Sequence, residues 1–104
     1  MTEPKLKSKE QAAEKERQEA KEPSFYRVVL LNDDYTSMDF VVHILESVFH
    51  KSATEATRIM LNVHKKGAGI CGVYTREVAE TKIVTVHEMA ARKKYPLRCT
   101  MERE

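Results

Sequence analysis

The side chains in this chain that could do chemistry gather at two places far apart in sequence. Asn32-Asp33-Asp34-Tyr35-Thr36-Ser37-Met38 interrupts an apolar run (Val28, Val29, Leu30, Leu31), and His64 closes a later helical segment. An amide, two carboxylates and a neutral imidazole are all hydrogen-bond acceptors. Helix N-termini ordinarily favour anions, but two aspartates there invert the local sign and suit a cation. Met38 and Val41 open one helical pattern, and Met60 and Val63 lie a turn or less before His64. The expected chemistry is therefore recognition: an apolar pocket with acceptors at its rim, matched to a small cation carried on a greasy side chain.

Other chemistries are weaker. A thiol hydrolase would need Cys71 beside His64, but Cys71 sits in an apolar run where thiols are usually inert. A paired-carboxylate hydrolase would need Asp33 and Asp34 to converge, and adjacent residues point their side chains apart. His43, His50 and His87 stand at no ligand spacing to a cysteine, which argues against zinc. A third alternative is a small α/β interaction domain with no such pocket. Taken singly, Asn32-Asp33-Asp34 reads as a turn and cap, His64 as a partner of the helix dipole, and Met38 and Met60 as core filler.

The elements that must bring these residues together follow from patterning. In a chain of 104 residues, 41% are hydrophobic, yet almost none of those fall in the first two dozen positions. Residues 1–23 alternate Lys and Glu, offer nothing to bury, and are expected to be a flexible extension; residues 24–104 form one domain. A net charge of +2 gives no reason to expect nucleic acid. No window approaches the roughly 20 apolar residues of a membrane span, and the start lacks a signal-peptide segment. Cys71 and Cys99, distant and outside any CxxC, are expected to be reduced thiols in a cytoplasmic protein.

Phe25–Leu31 is β-branched and aromatic enough for a first strand. Thr36 offers an N-cap hydroxyl with Asp39 as its acidic partner, opening a helix to about His50. Ser52-Ala53-Thr54-Glu55 is a capping box for a second helix that carries Ala56, Ile59, Met60 and Val63 inward and ends at Gly67. Residues 68–74 make a second strand, with glycines expected where another backbone comes close. Thr75 caps a third helix with an inner stripe of Val78, Ala79, Ile83, Val86 and Ala90, halted at Tyr95-Pro96. A last strand spans 97–101. The order βααβαβ predicts an α/β (α+β) domain: a three-stranded antiparallel sheet with three helices packed on it. The short link between the first two helices makes a tight hairpin, which returns His64 to the Asn32–Asp33 turn.

From about Phe25 onward the chain resembles the ClpS adaptor family of the bacterial N-degron pathway. The resemblance rests on Asn-Asp-Asp-Tyr-Thr at 32–36, Met38-Asp39-Phe40-Val41, Met60 with Val63-His64, Ile70-Cys71-Gly72-Val73, Val78-Ala79-Glu80-Thr81-Lys82, and Pro96-Leu97 to Thr100. It implies a monomeric, cofactor-free, non-enzymatic adaptor. Such an adaptor binds substrates that begin with Leu, Phe, Tyr or Trp and delivers them to a ClpA-type unfoldase. By resemblance Asn32, Asp33 and His64 contact the substrate's α-amine and first peptide group, with Asp34 beside them among the expected binding residues. Thr36, Met38, Val41, Met60, Val63 and Leu97 line its pocket, with Met38 as a gate against β-branched residues. Glu77 and Lys82 would belong to the unfoldase-docking face, and the 1–23 extension would serve in handover. The chain departs from the family at Ser37, where proline is usual.

Overall fold

A computed structural model describes residues 24–104 as β1 (Phe25–Leu31), α1 (Met38–Ser47), α2 (Ala53–Lys66), β2 (Ala68–Thr75), α3 (Arg76–Arg92) and β3 (Arg98–Arg103). The expected extension at 1–23 lies outside the described residues. The order is the anticipated βααβαβ, and the sheet runs β2-β1-β3 with both pairings antiparallel. The most apolar strand takes the centre because it alone has neighbours on both sides. Val28 and Leu30 are completely buried beneath the helices.

Between Val28 and Val29 the β1–β2 register slips: Val28 faces Gly72 while Val29 faces Ile70. Cys71 is the extra residue of this bulge and turns fully into the core. Burial first, and then the nearby Cys99, push its thiol far above the ordinary range. Burial likewise pushes Cys99 up to about 12. Both thiols are neutral core groups.

The helices follow their sequence signals with instructive differences. α1 starts one residue later than expected, because Ser37 and not Thr36 is the N-cap. The Ser37 Oγ accepts from the Phe40 N–H at 3.1 Å, while the Thr36 hydroxyl is already donated to Asp33 Oδ2 at 2.8 Å. Asp39 is then too early to close a reciprocal box, although its charge still suits the first turn. α1 also stops at Ser47, short of His50. Val48 and Phe49 turn down into the core, and His50 takes a left-handed φ of 58°.

α2 is bounded as expected: Ser52 Oγ accepts from the Glu55 N–H, and Gly67 stands at φ 89° with its N–H donated to Val63 O. The inner stripe of α3 is narrower than predicted. Ala79, Val86 and Ala90 are buried and Ile83 packs on the core, but Val78 is exposed, one residue out of the 4-3-4 spacing that faces the sheet. β3 begins at Arg98 and reaches Arg103, and Leu97 enters the core just before it.

Candidate functional site

Asp33 builds the turn between β1 and α1. Its Oδ1 accepts from the N–H groups of Tyr35 at 2.8 Å and Thr36 at 2.7 Å, and its Oδ2 accepts from the Thr36 hydroxyl. Burial of the carboxylate opposes its ionisation. The three hydrogen bonds together outweigh that and hold the Asp33 carboxyl below its ordinary value of 3.8. A carboxylate offers about four acceptor positions. Three are used, so one remains, on Oδ2. Among the described residues Asn32 and Asp34 are exposed, and their side chains make no intramolecular hydrogen bond.

The turn is tied to the far end of α2 through the backbone. The Asn32 N–H donates to Gly67 O at 2.9 Å, one residue past the last turn that carries His64. Gly69 permits the second constraint. A methyl group there would meet Val63 Cγ2 at 2.7 Å and the Ile59 carbonyl oxygen at 3.2 Å, so α2 lies directly on β2. This is the close backbone approach expected of a strand glycine. It sets where Val63 and His64 stand against the Asn32–Asp33 turn.

The result is a recess of about 410 Å³ between the two helix ends. Asn32, Asp33, Asp34 and His64 lie around it, and Thr36, Met38, Val41, Met60 and Val63 supply wall and floor. Val41 and Val63 are buried, Met60 is half-buried, and Met38 is 45% exposed. The structure thus brings nine of the sequence-selected residues around one opening. Leu97 is not among them, because it is buried in the common core. Two lining residues were absent from the sequence selection. Tyr35 stands 78% exposed at the rim, and Ser37, half-buried, lines the recess as the cap of α1. For Tyr35 the available signal was a large aromatic placed within a polar turn.

Cys71 does not line this recess, and its thiol is neutral, so no thiol–imidazole pair is assembled. A second hollow of about 510 Å³ lies beside the β1–β2 bulge, between α2 and β2. Its wall includes Arg58, already paired with Glu55, and Glu102, paired with Arg27 at 3.5 Å. Among the described residues, no comparable set of unengaged acceptors faces it. Glu77 is exposed in the first turn of α3. Lys82 is half-buried; its Nζ donates to Val48 O at 2.7 Å and stands 5.3 Å from the Tyr74 ring centroid and 5.8 Å from that of Phe49. That ammonium closes the C-terminal end of α1.

Fold and site define a small α+β domain of the binding kind, with a receptor-like recess and, among the described residues, no assembled thiol nucleophile. Residues 21–100 match the family described as ATP-dependent Clp protease adaptor protein ClpS. The ClpS adapter protein of Syntrophus aciditrophicus is 63% identical over 81 residues, covering 78% of this chain and 76% of that one. The ClpS adapter protein of Caulobacter vibrioides is 61% identical over 82 residues, covering 79% and 75%. Among solved structures, Agrobacterium tumefaciens ClpS2 bound to L-phenylalaninamide matches with a TM-score of 0.76 and 38% identity, covering 79% of this chain and 99% of that one. This chain belongs to the ClpS family: it is an adaptor of an ATP-dependent Clp protease and not an enzyme.

Proposed function

We propose that the recess between α1 and α2 binds the first residue of substrate proteins, taking a free N-terminal Leu, Phe, Tyr or Trp. The observation that carries this reading is the pairing of an apolar floor with unengaged acceptors at one mouth. Val41, Met60 and Val63 would hold the side chain. Asn32, the last acceptor position of Asp33, Asp34 and His64 would hold the ammonium and first peptide group. The phenylalaninamide on the related Agrobacterium ClpS2 supports the same assignment, since it joins an aromatic side chain to a free amine. Met38, at the first turn of α1, narrows the space available next to the ligand's Cβ.

Burying one large apolar side chain contributes about 1.5–3 kcal/mol. Each hydrogen bond to the charged amine adds about 1.5–3 kcal/mol. Two or three such bonds bring the gross gain to about 5–12 kcal/mol, so after the cost of association the affinity is micromolar or weaker, which suits a carrier that must release.

Delivery is assigned to a ClpA-type unfoldase in the cytoplasm, with the adaptor acting as a monomer. Glu77 and Lys82 lie on the docking face; because the Lys82 ammonium is engaged with Val48, its contribution there is to hold the face in shape. The 1–23 extension serves in handover. Titrating the protein with a Phe-initiated peptide while following backbone amide resonances tests the site. Shifts concentrated at 32–38 and 60–64 are expected; shifts centred on the hollow beside β2 would refute it. Removing 1–23 should leave peptide affinity intact and stop degradation of a Leu-initiated substrate, whereas lost peptide binding would place the extension in the binding site.

A further inference from the structure

We propose that Tyr95 is a selectivity-positioning residue: it braces the first turn of α1 from behind and so fixes the wall that Met38 presents to the bound side chain. The inference rests on the reading that the recess takes an N-terminal side chain.

The first turn of α1 is a thin partition. On one side Ser37 and Met38 line the binding recess. On the other, Ser37, Asp39, Phe40, His43, Lys93 and Tyr95 line a separate surface hollow of about 370 Å³. A wall with open space behind it yields more easily than one backed by packed core. Tyr95 is the strut across that space. Its hydroxyl donates to Ser37 Oγ at 3.3 Å, and its ring lies 5.0 Å from the Phe40 ring, tilted by 52°. The same Ser37 Oγ accepts from the Phe40 N–H. One oxygen therefore ties the turn both to itself and to the segment between α3 and β3.

The strut has a fixed base. α3 ends with the Lys94 N–H donated to Ala91 O and the Tyr95 N–H donated to Ala90 O at 2.9 Å, the paired bonds of a Schellman termination. Lys94 takes the left-handed position at φ 61° without the freedom of glycine. Pro96 then restricts the backbone of Tyr95 from the other side. A non-glycine held left-handed, followed by a residue pinned at both flanks, points the ring at α1 in one direction.

A separation of 3.3 Å is long for an O–H···O bond, so the ring packing on Phe40 carries at least as much of the bracing as the hydroxyl does. The test measures affinities of the full chain for Leu- and Ile-initiated peptides of otherwise identical sequence, with thermal midpoints alongside. It uses the parent, Y95F and Y95A, each with Ser37 and with S37P. Proline suits the Ser37 φ of −71° and removes the hydroxyl. With Ser37, Y95F should lower the Leu-over-Ile ratio by about twofold to threefold, and Y95A by about tenfold. In the S37P background Y95F should leave the ratio unchanged, while Y95A still lowers it. A lowered midpoint with an unaltered ratio in Y95F and Y95A makes Tyr95 merely structural and overturns the proposal. A parent that binds N-acetylated and free peptides alike overturns instead the reading on which it rests.

Discussion

Replacing Asp33 with asparagine separates the two tasks that one carboxylate performs in this protein. Oδ1 carries both backbone N–H bonds, and an asparagine amide oxygen reproduces that acceptor. Oδ2 becomes an NH₂ group, so the Thr36 hydroxyl must turn from donor to acceptor, and the charge is lost. The turn should therefore survive with a stability cost of about 0.5–1.5 kcal/mol, the worth of one weakened hydrogen bond. Binding should suffer more, because the remaining Oδ2 position, assigned to the ligand's ammonium, becomes a donor facing a donor. Loss of one charge-assisted bond costs about 1.5–3 kcal/mol, a weakening of about 10- to 150-fold.

The stability part has a definite pH signature. The folded carboxyl titrates below its ordinary value, so its contribution is fully present above the unfolded pKa of about 4 and is lost as pH falls through the folded value. The midpoint difference between parent and Asp33→Asn should accordingly be constant near neutrality and shrink on acidification below about pH 4. Thermal melts from neutral to acid pH, paired with fluorescence anisotropy on a Leu-initiated peptide at neutral pH, measure both quantities. Affinity within about twofold of the parent would refute the assignment of Asp33 to the ligand. A midpoint difference that grows on acidification would refute the account of its ionisation.

Two other substitutions probe the walls of the recess. Met38→Ala should admit N-terminal Ile and Val with affinities approaching that for Leu in peptide titrations; unchanged selectivity would remove Met38 as the gate. Gly69→Ala inserts a methyl between β2 and α2, where Val63 Cγ2 and the Ile59 carbonyl already fill the space. Chemical denaturation should show a loss of about 1–3 kcal/mol, with weakened peptide binding as Val63 and His64 shift; unaltered stability would mean that the helix can slide without cost.

The sequence disclosed the architecture because periodicity, caps and the single C′ glycine at 67 all agreed with one another. The recess was legible from types and spacing once a helical hairpin was inferred, since that alone returns His64 to Asn32. What stayed hidden depends on competition for partners. Thr36 and Ser37 are both good caps. Only the prior claim of Asp33 on the Thr36 hydroxyl decides between them. Val78 looks like a stripe residue until the pitch of α3 on the sheet leaves it outside. Leu97 belongs to a family motif and is expected in the pocket, yet it drops into the core just before β3. A lysine such as Lys82 reads as a surface charge, because nothing local announces an acceptor 34 residues away at Val48. Tyr95 is the extreme case: a residue read as a helix stop becomes a brace only through Ser37, 58 positions earlier.

The central claim is that a hydrophobic side chain and a free α-amine are read together by one recess. Anisotropy titration with two Phe-initiated peptides, identical except that one is N-acetylated, measures this directly. Acetylation keeps the ring but removes the charge and the donors, forfeiting two or three bonds to the acceptors of Asn32, Asp33, Asp34 and His64. The account predicts micromolar binding of the free peptide and weakening of at least about 100-fold on acetylation. Equal affinity for the two peptides would contradict it.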